Sequence, residues 1–528
     1  MEGALGEGPL MDGIHHREAG FGSWVTRRAS LCGDRVALID GDRRITYAEF
    51  DRRTDRLAQA LRASGVRKGD RVAGLMINSA AFLETLFAAG KLGAVFVPIS
   101  FRLAAPEVAY LLGDSGATVL VWSEQFSAVA RAACAGEKVK VKTRVVVGGK
   151  ADCEETDFER FVADGEDRPV EVDILGSDLC CLPYTSGTTG RPKGAMLTHD
   201  NLFWNTLNGV TAGRGLREGD RTVTAAPLFH IGGLSVHTLP LIYVGGTNVL
   251  LPGFRPEETL AAMARERVTV QFLVPAMWAA LMAVPGFESY DLSGLELAVS
   301  AGAPCPLPVL EYFQDRGVPF QESFGLTETG GVTLLDAEHV KEKSGSVGRP
   351  LFHVQTRIVD EQDRDVATDM VGEVVVRGPA VFAGYWQKSE ATAEAVRGGW
   401  FHTGDLGRMD ADGFVTLVDR KNDMIITGGE NVYPVEVEQV LCRHPAVREV
   451  AVVGVADQKW GETPIAVVAL EDGVQVDGAE LIDYTRERLA HFKCPTRVEY
   501  LPELPRNASG KVLKTALRER FAGRPHPR

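Results

Sequence analysis

RVAGLMI (Arg71–Ile77), SAAFLETLFAAG (Ser79–Gly90) and AVFVPI (Ala94–Ile99) follow one another with hardly a residue between them. The first and last are short apolar runs of strand length. The middle one places Phe82, Leu83, Leu86 and Phe87 on a single helical face, so the three predict strand, helix, strand. That is the repeating unit of a parallel sheet covered by helices. Outward from it the rhythm continues through ATVLVW (117–122), LCCLP (179–183), TVTAAP (222–227), TNVLL (247–251), VTVQFL (268–273) and LELAVS (295–300), with helical stretches such as RPEETLAAMARER (255–267) between them. An α/β fold follows, with a large N-terminal domain of parallel-rich sheets flanked by helices.

After about residue 350 the strands crowd together. RIVDEQDRDVA (357–367) and DADGFVTLVDR (410–420) carry turn signals, and the Asp412-Gly413 pair marks a hairpin, which predicts a β-barrel-like part. Beyond Arg420, VYPVEVEQVLCRHP, VREVAVVGV, PIAVVAL and GAELIDYTRERLAHF predict a small α+β domain of about 100 residues, an ordinary domain size. The expected division is a loose leader over 1–20, a main domain over 21–420 and a C-terminal domain over 421–528, with the boundary at DRKND (419–423).

Composition agrees with a folded globular protein: 45% hydrophobic and 24% charged residues in a chain of 528. A formal charge of −14 repels nucleic acid and anionic lipid, so an anionic ligand needs a local pocket. The eight cysteines show no CxxC spacing, which argues against zinc and disulfides and for reduced thiols in a cytoplasm. The first twenty residues contain no apolar core of a signal peptide. From Thr222 to Phe254 there is no charged side chain, a length that could span a bilayer. Pro227, Pro240, Pro252 and two Gly-Gly pairs interrupt it, so it is read as buried strand, turn and helix, with no transmembrane segment.

The strongest local signal is YTSGTTGRPKG (Tyr184–Gly194), set between an apolar strand and a short one. Small residues let backbone approach a polyphosphate, hydroxyls and N–H groups donate to it, and Lys193 adds charge. It is not a Walker A loop, because that pattern started at Gly187 needs glycine where Pro192 stands. In ESFGLTE (Glu322–Glu328), Thr327 beside Glu328 suits a phosphate oxygen and a hard Mg²⁺ ion. In WFHTGD (Trp400–Asp405) a carboxylate after a tight turn suits ribose hydroxyls, and PRNASGK (Pro505–Lys511) places one lysine after a flexible turn. Taken singly, each also reads as a capped turn or a surface charge.

In this order and spacing the segments resemble the adenylate-forming superfamily of acyl-CoA synthetases, adenylation domains and firefly-type luciferases, along essentially the whole chain after the leader. The resemblance implies ATP, Mg²⁺ and CoA as partners of a carboxylic acid, with AMP and pyrophosphate released through an acyl-adenylate. It assigns Thr185, Ser186, Gly187, Thr188, Thr189, Gly190 and Lys193 to the phosphates, and Gly302, Ala303 and Pro304 of SAGAP to the adenine side. Glu322, Ser323 and Phe324 border the nucleotide, Thr327 and Glu328 the phosphate and metal, Asp405 and Arg420 the ribose, and Lys511 is catalytic. Gly428 and Gly429 in ITGGENVYP match the backbone that lines the thiol tunnel. Asn422 stands at the hinge about which the small domain turns between half-reactions, where Lys or Asp is common.

The acid is addressed by PLFH (Pro227–His230). Amino-acid-activating relatives carry Asp where His230 stands, and a buried ammonium without that partner is costly, so an amino acid is disfavoured. His230, counted with the catalytic residues, borders the acyl pocket. Ala301 and Ser323 replace glycines that many fatty-acyl and hydroxycinnamoyl relatives carry. Their Cβ atoms narrow the slot and favour a short- or medium-chain fatty acid or a compact aryl acid, as in bacterial fatty-acyl- or feruloyl-CoA-type ligases. Two alternatives stand beside an acid–CoA ligase: a stand-alone adenylating enzyme that loads a carrier protein, and a non-catalytic relative, against which Glu328, Asp405, Arg420 and Lys511 argue. The sequence leaves monomer or homodimer open.

Overall fold

The computed structural model describes residues 20–185, 191–303, 305–421, 423–427, 430–457, 460–506 and 511–521. The leader up to residue 19, Ser186–Gly190 at the tip of the phosphate loop, Pro304, Asn422, Gly428 and Gly429 lie outside these. The opening strand–helix–strand unit forms as Arg71–Leu75, Ala80–Lys91 and Val95–Pro98, the two strands parallel with Arg71 opposite Val95. They sit in a seven-stranded sheet that also holds Val119–Ser123, Thr143–Val147 and Leu179–Cys181. Ser79 caps the helix by accepting from the Phe82 N–H.

One expectation changes. The spacing suggested a single apolar face on Ala80–Lys91, yet every residue of that helix is buried. The helix is covered on its polar side as well, and Glu84, with no exposed side-chain surface, meets Arg53 at 2.6 Å. A buried carboxylate is tolerable only when paired.

The uncharged stretch folds as expected. Arg221–Thr224 and Thr247–Leu250 are strands of a four-stranded sheet, and Ile231–Gly233, a π-helical turn at Leu234–Thr238 and helix Leu239–Val244 connect them. Among the described residues no helix is long and apolar enough to cross a membrane. A third sheet runs Val270–Leu273, Leu297–Ala301 and Phe320–Leu326 in parallel before turning antiparallel at Gly330–Leu335. The closely spaced strands make an antiparallel sheet of Gln355–Val359, Gly372–Arg377, Val396–Arg397, Trp400–Met409 and Val415–Arg420. A last sheet, built only from residues between 425 and 500, has Val447–Asp457 and Gly461–Leu470 as its long hairpin.

Candidate active site

The phosphate loop stands on two legs that pair antiparallel, Thr185 opposite Lys193 and Tyr184 opposite Gly194. Both legs are fastened to helix Ala105–Ser115. The Tyr184 hydroxyl donates to Asp114 at 2.8 Å, and the Tyr110 hydroxyl donates to the Pro192 carbonyl at 3.2 Å. Neither fastening is visible in the sequence, since each joins residues 70 or more positions apart.

Glu328 follows the strand Phe320–Leu326 and is 7% exposed. Its Oε1 accepts from the Tyr385 hydroxyl at 2.9 Å and from the Thr185 hydroxyl at 3.3 Å. Both donors are neutral, and among the described residues no Lys or Arg forms an ion pair with it. A buried carboxylate held without a cation is a fit for Mg²⁺, which takes one or two carboxylates and completes its shell with water and substrate phosphates. The described residues contain no cluster of three or more His, Cys, Asp or Glu that could hold a metal by themselves, which fits an ion completed by water and phosphate oxygens. Thr327 is half-buried beside it. Tyr385 was not identified from the sequence; its ring also carries the Lys193 ammonium, 5.2 Å from the centroid.

Strands Leu297–Ala301 and Phe320–Leu326 pair in parallel, with Ser300 opposite Glu322 and Ala301 opposite Ser323. Gly302 then turns with φ +92°, a conformation that favours glycine, and Ala303 is exposed at the turn. Glu322 reaches back to accept from the Cys305 N–H at 3.1 Å. Its carboxyl is pushed up to about 7 by burial, with that N–H opposing. Between its ordinary 4.5 and about 7 the unfolded chain releases a proton that the folded one keeps, so stability falls as pH rises through this window and levels off above it. Glu322→Gln keeps an acceptor for Cys305 without the ionisation. The variant is expected to match the parent near pH 4.5 and to exceed it by about 3 kcal/mol at pH 8, measured by urea unfolding at both pH values; equal pH slopes in the two proteins would place the proton elsewhere.

Phe324 is buried among Val332, Val347 and Val354. Ser323 donates to the Thr333 carbonyl at 2.8 Å, so its hydroxyl is spent on the sheet while its Cβ lies level with Ala301. Ala301 joins an apolar cluster with Phe272, Val299, Val236 and Val274. The segment carrying His230 is pinned by Asn78, which donates to the carbonyls of Thr224 and Ala226 and accepts from the Leu228 N–H at 2.8 Å. His230 itself is accessible to solvent, and its Nδ1 accepts from the Gly232 N–H at 3.3 Å. The protein crowded around it lowers its pKa. The ring is therefore accessible to solvent yet disfavoured as an imidazolium.

Asp405 and Arg420 face each other across antiparallel strands. Gly404, at φ +70°, lets the chain turn ahead of the carboxylate, and the Asp405 N–H donates to Thr403 Oγ1 at 3.0 Å. Arg420 Nε meets Asp405 Oδ1 at 2.7 Å, and its Nη1 donates to the Thr403 carbonyl. Asp405 Oδ2 is buried with no hydrogen-bond partner among the described residues. An orphaned acceptor of this kind suits a donor from a ligand, and a sugar hydroxyl is one group with the chemistry to supply it. Burial raises the Asp405 pKa, with Arg420 and then Lys511 opposing. Lys511, solvent-accessible but surrounded, has its own pKa lowered by that crowding first and by Arg420 second, while Asp405 and Asp423 raise it. The structure therefore brings Lys511, Arg420 and Asp405 into one electrostatic group, and Thr185, Lys193, Tyr385 and Glu328 into another.

The AMP-binding enzyme family matches residues 25–386, and its C-terminal domain family matches 436–511. A feruloyl-CoA synthase from Amycolatopsis sp is 46% identical over 506 residues, covering 96% of this chain and 100% of that protein. An indoleacetate–CoA ligase from Aromatoleum aromaticum is 38% identical, covering 94% and 98%. The structure of an o-succinylbenzoate coenzyme A synthetase from Bacillus subtilis, in complex with ATP and magnesium ion, superposes with a TM-score of 0.83 at 34% identity, covering 94% and 99% of the two chains. With two family matches in chain order and relatives aligned along nearly their whole length, the chain belongs to the AMP-binding, adenylate-forming enzymes and is an acid–CoA ligase.

Proposed function

We propose that the acid activated here is an aryl-substituted carboxylic acid, joined to CoA in two steps in the cytoplasm. The observation that supports this is the register that sets Ala301 level with Ser323 on adjacent strands, with Ala301 in an apolar cluster containing Phe272, which we read as the narrowed wall of the acyl slot. A flat ring fits such a slot better than a long flexible chain. The relatives named for feruloyl and indoleacetate support the same choice, and eight free cysteines suit a reducing compartment.

In the first step the acid's carboxylate attacks the α-phosphorus of ATP, forming acyl-adenylate and releasing pyrophosphate. Two anions must meet, so stabilisation has to lie where charge concentrates. Lys511 bridges the carboxylate and the α-phosphate. Thr185, Lys193 and the loop tip Ser186–Gly190 hold the β- and γ-phosphates, Glu322, Ala303 and Phe324 border the adenine, and Asp405 with Arg420 holds the ribose. Mg²⁺, when bound at Glu328 beside Thr327, shields the phosphate oxygens. In the second step the CoA thiol attacks the acyl carbon and AMP leaves. Neutral His230 borders the path of that thiol. We assign residues 21–420 and 421–528 to two domains that turn at Asn422, exchanging Lys511 for the Gly428–Gly429 backbone.

Pyrophosphate release with ATP across aliphatic and aryl acids, with and without CoA, tests the reading. The expected result is acid-dependent release that is fastest with an aryl acid, together with a CoA thioester. Adenylate without thioester would favour a carrier-protein acceptor. The slot has its own test. Ala301→Gly combined with Ser323→Gly is expected to raise kcat/KM for bulkier acids about tenfold relative to the best parent substrate, with the ATP KM within twofold. An unchanged acid ranking with a raised ATP KM would mean that Ser323 serves only its bond to Thr333.

A further inference from the structure

A groove of about 1260 Å³ runs beside the second leg of the phosphate loop. Helix Ala105–Ser115, the turn Gly136–Lys140, the leg Arg191–Lys193 and the segment from Gln387 to Glu394 form its walls. In a chain where acidic residues outnumber basic ones 71 to 57, the walls reverse the balance, with six basic residues to four acidic. Arg71 is spoken for, its guanidinium donating to the carbonyls of Gly69, Ser115 and Gly116. Lys138, Lys140, Arg191, Lys193 and Lys388 are held in no ion pair with any described residue. Five cations gathered in a concave wall without carboxylate partners form a field that concentrates a polyanion.

The groove shares a wall residue with the group around Glu328. Lys193 lines it and at the same time lies over the Tyr385 ring, and the Tyr385 hydroxyl bonds to Glu328. Arg191 lies over the ring of Tyr110, whose hydroxyl holds the Pro192 carbonyl, so the cations of this leg are anchored to the helix that forms the opposite wall. We propose that the groove is the binding and departure site of inorganic pyrophosphate, resting on the ligase reading above. On cleavage the diphosphate passes from the loop to Lys193 and Arg191, and then to Lys388, Lys138 and Lys140. Glu137, Glu390 and Glu394 share the walls and keep the field weak enough for a product that has to leave. A diphosphate also occurs within CoA, but Lys193 ties this groove to the loop that holds the β- and γ-phosphates, which favours the inorganic product.

The test is the triple variant Lys138→Ala, Lys140→Ala, Lys388→Ala in the full chain, none of which has a role in the reaction itself. In acid-dependent ATP–pyrophosphate exchange, the pyrophosphate concentration giving half-maximal rate is expected to rise about fivefold or more, on the scale of three exposed charge contacts. Product inhibition by pyrophosphate weakens to match, and the KM values for ATP and for CoA stay within twofold. Higher ionic strength should weaken pyrophosphate in the parent more than in the variant. An unchanged half-saturation, an equal rise in the ATP KM, or a rise in the CoA KM alone would each overturn the proposal. The charge-retaining triple Lys→Arg variant is expected to behave as the parent; loss there as well would mean damage to the fold and would also overturn it. Absence of any acid-dependent exchange in the parent would instead refute the ligase reading, a result distinct from exchange with unaltered pyrophosphate dependence.

Discussion

Lys511→Ala is expected to lower acid-dependent ATP–pyrophosphate exchange by about 10²- to 10³-fold, while thioester formation from supplied acyl-adenylate stays within about threefold. The asymmetry comes from where charge develops. In the first step a carboxylate approaches a phosphate, and on the proposed reading they meet at Lys511, which is grouped with Arg420 and Asp405. In the second step a neutral or thiolate sulfur attacks an acyl carbon, and no such pair of anions has to be joined. The lowered pKa of Lys511 adds a pH signature. Its ammonium is lost at a lower pH than the ordinary 10.5, so the alkaline limb of adenylation falls early, and Lys511→Arg should move that limb upward even if the maximum rate drops. Exchange at the parent rate in the alanine variant would reject the assignment, and equal loss in both half-reactions would point to a structural role.

Asp405→Asn is expected to raise the ATP KM about 10- to 100-fold, the scale of one hydrogen bond to a charged group. Two effects contribute. The buried Oδ2, which has no partner among the described residues, is no longer a charged acceptor for a ribose hydroxyl, and Arg420 loses the carboxylate held at 2.7 Å. Deoxy-ATP analogues separate them. The parent should discriminate against an ATP lacking the contacted hydroxyl, and the variant should have lost most of that discrimination. If ATP and both the 2′- and 3′-deoxy forms weaken by the same factor, Asp405 serves only to position Arg420.

The order of elements was readable because helix and strand periods are local. The strand–helix–strand unit at 71–98 and the buried reading of 222–254 needed no long-range information, as the later strands and turns show. The Ala80–Lys91 helix marks the limit. Four apolar residues on one face suggested one covered side, and only packing reveals that Arg53 covers Glu84 on the other. In the same way Ala301 and Ser323 could be assigned to one slot wall by resemblance, but their level register and the Ser323 bond to Thr333 depend on neighbouring strands. Asn78, Tyr110, Asp114 and Tyr385 left no local signal at all, because each acts on a segment at least 57 residues away.

By itself, then, the sequence determined the α/β class, the place of the phosphate loop between strands and the acidic and basic groups proposed to handle ATP, because side-chain chemistry and short-range periodicity are written residue by residue. The tertiary structure decided which of those groups meet. Sheet register set Asp405 against Arg420 while leaving Oδ2 without a partner among the described residues. Packing of distant segments gave Glu328 two neutral donors and, among the described residues, no cation, and closed separate stretches around a basic groove in an acidic protein. Such pairings depend on distances between chain segments that no local pattern encodes, since one register step moves every side chain of a strand to the opposite face.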